Sequence, residues 1–295
     1  MADNTAIAWA DATWNPVTGC DPVSPGCDRC YAKTIPTRFA GTKAWPNGFK
    51  VTLRPERMAT PYHWRRPRRI FVCSTSDLFH ADVPDGFIAD VMAAAVNNQR
   101  HNFLILTKRH ARMRALFASE KFRRSVYGAS AAQWADLELL RRKGQFAAFN
   151  PDTLTWPLPN VWAGVTAEDQ KSADIRVPAL LETPAALLFA SVEPMLGPVS
   201  LPPGLDWVIC GGESQSGARP MEREWVDRLA GECAAARVPL FVKQLGAALA
   251  RELGVPGKGD DPALWPYQWP QQFPQPLVER RTPNVAGSYR GPVPL

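Results

Sequence analysis

The chain has 295 residues, 45% of them hydrophobic, with 34 Lys+Arg against 28 Asp+Glu and a net charge of +6. That is enough to bury a large core as one domain, or as a domain with a small appendage. No apolar run of about eighteen residues occurs, so no membrane span is expected. The N-terminal stretch MADNTAIAWADATWNPVTG has no basic region followed by an apolar core, so it does not read as a secretory signal. The expectation is a cytoplasmic protein, a compartment where structural disulfides are rare.

In chain order, a first strand is expected around ATWNPVTG (12–19), followed by a cysteine-rich loop, GCDPVSPGCDRCYA (19–32). Short apolar runs then recur, each ending in small or polar groups. They are RRIFVCSTSD (68–77), NFLILTKR (102–109), NVWAGVTAED (160–169), ALLFASVEP (186–194), DWVICGGES (206–214) and PLFVKQLG (239–246). Each is continuous rather than alternating, which is how a strand buried on both faces reads. Helical patterns lie between them at 83–100, 172–183 and 222–238, and a longer charged helical insertion spans about 110–159. Strands alternating with helices imply parallel βαβ units.

The expected fold is therefore α/β, a partial or full (β/α) barrel of about six to seven parallel strands occupying 1–249. A Pro/Gly-rich extension (250–295) follows, with Trp265 and Trp269 pinning its first part. An open doubly wound sheet is the alternative. The barrel is preferred because nearly every strand ends in polar groups. Barrel enzymes build sites from the loops after all their strands, whereas open sheets concentrate them at one switch point.

Those strand-end groups are the candidate site: Ser76 and Asp77, Lys108, Thr166 and Glu168, Glu193, Gly211, Gly212 and Glu213, Arg219, and Lys243. A barrel would point them into one cavity. Each alone has an ordinary structural explanation, such as a helix cap or a solvated lysine. Two glycines let backbone approach a ligand closely, and Arg219 can fork to a carboxylate or phosphate. The 211–220 stretch lacks both the dinucleotide fingerprint and a phosphate loop.

Of the six cysteines, Cys73, Cys210 and Cys233 sit in apolar or helical runs and read as buried small hydrophobes. Cys20, Cys27 and Cys30 form a cluster ending in C-x2-C. A structural zinc site wants four ligands, and the nearest histidine, His63, is more than thirty residues on. Three thiolates can instead hold three irons of a [4Fe-4S] cluster and leave the fourth open. A structural zinc site and a redox pair remain alternatives, although a redox pair would leave Cys20 idle.

In order, ATWNPVTGCDPVSPGCDRCYA, NVWAGVTAED, SVEPMLGPV, DWVICGGESQSGARPM and FVKQLG resemble the phage Gp37/Gp68 family, a domain of unknown function (DUF5131), over about residues 5 to 270. That family looks like a divergent branch of the radical S-adenosylmethionine (SAM) superfamily. The resemblance implies a partial barrel, a [4Fe-4S] cluster on Cys20, Cys27 and Cys30, and SAM at the open iron. SAM would be cleaved reductively to a 5′-deoxyadenosyl radical that abstracts hydrogen from a substrate, which could be a nucleotide or nucleic acid. Ser76, Asp77, Thr166, Gly211, Gly212, Glu213 and Arg219 would bind SAM, with Lys108, Glu193 and Lys243 at the reacting centre. A flavodoxin- or ferredoxin-type electron donor is implied, and a three-Cys-motif partner protein is associated with some members. Two departures stand out. The first cysteine gap is six residues where the superfamily has three. The Gly-Gly-Glu run stands late in the chain, with Ser74-Thr75-Ser76-Asp77 in its usual place. The competing class is a non-catalytic nucleic-acid-binding or phage accessory protein with a structural zinc or iron–sulfur site, drawing on the basic stretches 54–69 and 108–124.

Overall fold

A computed structural model describes residues 5–141 and 155–274. Part of the expected insertion, 142–154, and the tail beyond 274 lie outside the described residues. Among the described residues nine strands form: β1 (Ala12–Trp14), β2 (Val17–Thr18), β3 (Thr52–Leu53), β4 (Arg69–Val72), β5 (Asn102–Thr107), β6 (Val161–Thr166), β7 (Leu187–Val192), β8 (Trp207–Gly211) and β9 (Leu240–Gln244). Seven make one sheet in the order β1-β4-β5-β6-β7-β8-β9, every pairing parallel. The order never reverses, so there is no switch point and the doubly wound alternative is excluded. Because β1 and β9 do not pair with each other, the barrel is partial.

The expected first strand divides in two. β1 joins the main sheet, while β2 turns away to pair antiparallel with β3. The break falls at Asn15-Pro16, where proline supplies no amide to a ladder.

Seven α-helices lie among the described residues: α1 (Tyr31–Arg38), which follows the thiol loop at the mouth, and α2 (Asp85–Asn97), α3 (His110–Ala118), α4 (Glu120–Arg141), α5 (Gln170–Leu181), α6 (Arg223–Ala236) and α7 (Ala247–Glu252). The α2 run MAAAV is buried throughout, as expected where a helix is pressed between a sheet and α4.

The inner face carries a separate aromatic layer: Phe71, Trp162, Phe189, Trp207 and Phe241, with Trp9 from the N-terminal segment. These rings demonstrate the curl. Trp9 lies 4.6 Å from Phe71 on β4 and 6.3 Å from Trp207 on β8. Strands four places apart would stand roughly 19 Å apart in a flat sheet. Gly164 on β6 has no side chain because the Phe189 ring fills that space.

The free edge of β9 is covered by residues 270–272. Val242 N donates to Pro270 O (2.9 Å), and Gln272 N donates to Leu240 O (2.9 Å). Phe273 then packs against Phe241 with tilted rings 5.0 Å apart and meets the Arg69 guanidinium of β4 at 4.0 Å. The extension thus closes the lower seam of the trough and satisfies an otherwise open strand edge. Trp265 and Trp269 are both buried, with indole N–H groups donating to Gly259 O and Asp227 Oδ1.

Candidate metal centre at the barrel mouth

The upper end of the trough, where the strands terminate, is open. Beside it the chain leaves β2 through Gly19 (φ +83°), whose missing side chain gives room to the Lys50 carbonyl. A tight turn at Pro25–Cys27 and the start of α1 directly after Cys30 then fix the three thiols. Cys20, Cys27 and Cys30 all line a cavity of about 180 Å³ at the mouth. They also line a second cavity of about 390 Å³ on the outer side, with Lys33, Asn47, Phe49 and Lys50. The thiols therefore form the partition between the two spaces.

Among the described residues, the sole trio of His, Cys, Asp or Glu with donor atoms within 4.8 Å of one another is Asp21, His80 and Asp82, which includes no thiol. A tetrahedral zinc ion with Zn–S near 2.3 Å needs its sulfurs about 3.8 Å apart. The three thiol sulfurs do not all lie within 4.8 Å of one another, so they are not posed as a set around one ion. Thr75 Oγ1 and Gln244 Oε1, buried atoms of residues lining the inner cavity, have no hydrogen-bond partner. Orphaned polar atoms of this kind suit a polar ligand.

Strand-end charges clamp the thiol loop from several sides. Below it lies a buried triad. Glu168 Oε2 is 2.6 Å from Arg176 Nη1 and 3.1 Å from Lys108 Nζ. Gly26 rests directly on this pair: a Cβ there would stand 3.0 Å from Lys108 Nζ and 3.1 Å from Glu168 Oε1. Arg219 donates to Pro25 O (2.9 Å), pairs with Glu213, and reaches Asp28 at 3.7 Å. Arg29 meets Glu213 at 3.9 Å. Tyr31 Oη donates to Ser74 O at 2.8 Å.

Arg109 completes the ring. Its guanidinium donates to Cys20 Sγ (3.4 Å), Asp21 O (3.2 Å) and Asp77 Oδ2 (3.1 Å). Asp77 is itself saturated, also accepting from Thr107 Oγ1 (2.7 Å), Phe79 N (3.0 Å) and Lys108 N (3.0 Å).

Burial pushes the Cys20 thiol up to about 11, against the opposing pull of Arg109. Burial also raises Cys30. Burial works to raise Glu168 too, but Lys108, Ser24 and Arg176 together hold it below the ordinary carboxylate range. Glu213 is likewise lowered: its burial is outweighed by Arg219 and Arg29.

The sequence-derived site residues divide into three groups. Ser76, Asp77, Lys108, Thr166, Glu193, Glu213 and Lys243 line the inner cavity with the thiols. Several are already engaged: Ser76 Oγ donates to Val17 O (2.7 Å), and Lys243 Nζ pairs with Glu193 Oε1 (2.6 Å). Gly211 does not line the cavity. Gly212 does, but the space a Cβ would fill there belongs to Leu245 O (2.5 Å) and Gly246 Cα (2.8 Å). These glycines let the ends of β8 and β9 pass closely. Arg219 also stands off the cavity and spends its fork on Glu213 and the thiol loop.

Two contributors were not singled out from sequence, and a third, Cys73, was weighed there chiefly as buried structure. Arg109 was counted only as part of a basic surplus, although it follows Lys108 directly at a strand end. Arg176 lies inside a helix and carries no motif. Cys73 was expected to be buried structure, and it is buried, yet it also lines the cavity with a left-handed backbone (φ +61°). Such strain in a non-glycine residue clusters at functional sites. Cys210 is buried in the outer core, as its apolar run implied.

No curated protein and no solved structure matches the chain. A family model described as protein of unknown function (DUF5131) matches residues 4–289, nearly the whole length. The chain belongs to that family.

Proposed function

We propose that this protein is a [4Fe-4S] enzyme of radical-SAM type, with Cys20, Cys27 and Cys30 as ligands and SAM bound in the inner cavity. The observation that supports the reading best is that all three thiols line one cavity, together with charged and polar strand-end side chains, at the open end of a parallel partial barrel. When bound, such a cluster supplies the electron that cleaves the SAM sulfonium to methionine and a 5′-deoxyadenosyl radical.

The chain's own residues supply binding and exclusion of water. The Lys243–Glu193 pair sets one cation and one anion 2.6 Å apart on the cavity wall. That arrangement matches the carboxylate and ammonium of an amino-acid zwitterion. Thr75 Oγ1 and Gln244 Oε1 offer unspent acceptors for hydroxyl or amino groups. Trp9 and Phe71, together with Ile7 and Leu106, form the apolar part of the cavity wall and keep water from the site. Asp77 and Arg219 act one step back, by holding Arg109 and the thiol loop in place. All six cysteines are unpaired, which suits a reducing cytoplasm.

The nucleic-acid reading draws less support. At least six of the eleven arginines of the two basic stretches have partners within the chain, several of them at the surface: Arg54 on Glu56, Arg57 on Asn15 O, Arg69 on Asp11, Arg109 on Asp77, Arg112 on Asp85, and Arg114 on Glu182. Charges so paired have little left for phosphates. The test is anaerobic reconstitution with iron and sulfide, followed by dithionite and SAM. Formation of 5′-deoxyadenosine and methionine is expected. A colourless zinc-binding protein, or a cluster that never cleaves SAM, would overturn the reading.

A further inference from the structure

The three thiols share one partition, yet the chain surrounds them unequally. Cys27 meets a neutral hydroxyl, Ser24 Oγ, at 3.8 Å. Cys30 stands at the N-cap of α1. Among the described residues, Cys20 is the one whose sulfur meets a charged side chain: Arg109 Nη1 donates to its Sγ at 3.4 Å.

The guanidinium is fixed on every side of that contact. The same Nη1 donates to Asp77 Oδ2 (3.1 Å), and Nη2 donates to Asp21 O (3.2 Å). The Arg109 amide donates to Thr107 Oγ1 (2.8 Å), and that hydroxyl donates in turn to Asp77 Oδ1 (2.7 Å). The side chains of Arg109 and Asp77 are only 15% and 8% exposed, so little solvent lies between this charge and the sulfur.

The contact suits a sulfur that carries negative charge. As a free thiol, Cys20 Sγ donates to Asp21 O at 3.5 Å. Ligation of a metal takes that proton away. Asp21 O then keeps a donor in Arg109 Nη2, and the sulfur keeps one in Nη1. A charged N–H pairs more strongly with a thiolate than with a neutral thiol, whose sulfur is a weak acceptor.

We infer that Arg109 is the tuning residue of the thiol-bound centre: its cation offsets the negative charge gathered at Cys20 Sγ and raises the potential at which the centre accepts an electron. This deepens the cluster reading above and rests on it. Reduction adds one electron, supplied in the test by dithionite, and with it one negative charge; no covalent bond forms or breaks. Net local charge and hydrogen bonds to ligand sulfurs set the potentials of such centres. Asp77 acts in the opposite sense, because it is the anion that shares the guanidinium.

The test uses the full chain with three single variants, Arg109→Gln, Arg109→Lys and Asp77→Asn. The potential of reconstituted protein is read by dithionite titration. Arg109→Gln should lower it by about 59 mV or more, which is a tenfold shift in a one-electron equilibrium. Arg109→Lys keeps the charge and should recover at least half of that loss. Asp77→Asn removes the competing anion and should raise the potential. Opposite signs separate a charge effect from simple loosening of the thiol loop, which would move both variants the same way. A second measurement needs no cluster: the affinity of the apo chain for zinc alone, by competition with a coloured chelator. Once three thiolates close on a zinc ion the site carries net negative charge. Arg109→Gln should therefore weaken zinc binding at least tenfold, and the loss should vanish in a Cys20→Ser background. If no cluster assembles but zinc shows this coupling, the cluster reading fails and the role of Arg109 at Cys20 stands. An unchanged potential in Arg109→Gln, shifts of the same sign in Arg109→Gln and Asp77→Asn, a zinc effect that persists without Cys20, or thiols that take up neither cluster nor zinc would overturn the inference.

Discussion

Glu168 is the residue on which the thiol loop is seated, and replacing it with glutamine has a calculable consequence. The carboxylate is fully buried and pairs with two cations, Arg176 at 2.6 Å and Lys108 at 3.1 Å. Glutamine keeps the shape but removes the charge, so two buried cations are left facing each other without an anion. Breaking one partner of a buried pair costs about 3–5 kcal/mol. Glutamine can still accept one hydrogen bond, which places the expected loss near the lower end, about 3 kcal/mol. At about 2–4 °C per kcal/mol for a domain of this size, the melting temperature should fall by about 6–12 °C. The pH dependence carries a sign. Glu168 is held below its ordinary value of 4.5, so its contribution is present above that value and is lost as pH falls through the lowered one. Chemical denaturation of wild type and variant at pH 7 and in the acid range is the assay. The gap should be full at pH 7 and should shrink on acidification. A loss under 1 kcal/mol at pH 7, or a gap that does not change with pH, would refute the role assigned to the triad.

Alanine at Cys20, Cys27 or Cys30 should each abolish stable iron loading, while alanine at Cys210 or Cys233 should leave iron content unchanged; iron analysis after reconstitution decides. Because burial holds Cys20 near 11 and raises Cys30, loading must release protons, so iron uptake followed by absorbance should accelerate from pH 7 to 9. Uptake independent of pH would show that the thiols are already ionised. Gly212→Ala forces a Cβ to within 2.5 Å of Leu245 O, and overpacking of this kind should cost about 1–3 kcal/mol in a denaturation experiment. Lys243→Met leaves Glu193 without its 2.6 Å partner. Loss of a charged hydrogen bond worth about 1.5–3 kcal/mol should weaken SAM binding about 10- to 100-fold by calorimetry.

The strand runs were legible because both faces of each strand are buried. Outer helices cover one face and an aromatic layer the other, so the middle of each strand is apolar. The polar residue just past each run marked the mouth of the trough for the same reason. What the sequence concealed was who holds whom. Asp77 and Arg219 look like ligand-binding groups in a linear reading, yet their oxygens and nitrogens are spent on Arg109, Glu213 and the thiol loop. Gly212 looks like a ligand-facing glycine, yet its bare face meets the β9 backbone. Such pairings join residues far apart in the chain, as with Arg219 and Pro25, and no local pattern encodes them. The covering of β9 by residues 270–272 was hidden likewise, because a Pro-rich stretch carries no strand periodicity.

The central claim is a cluster with one iron left open to SAM. The most direct measurement is the electron paramagnetic resonance spectrum of reconstituted, dithionite-reduced protein, recorded with and without SAM. The account predicts about one reduced [4Fe-4S] signal per chain, shifted when SAM is added because the ligand joins the open iron. A signal indifferent to SAM, or a protein that binds zinc and gives no signal, would contradict it.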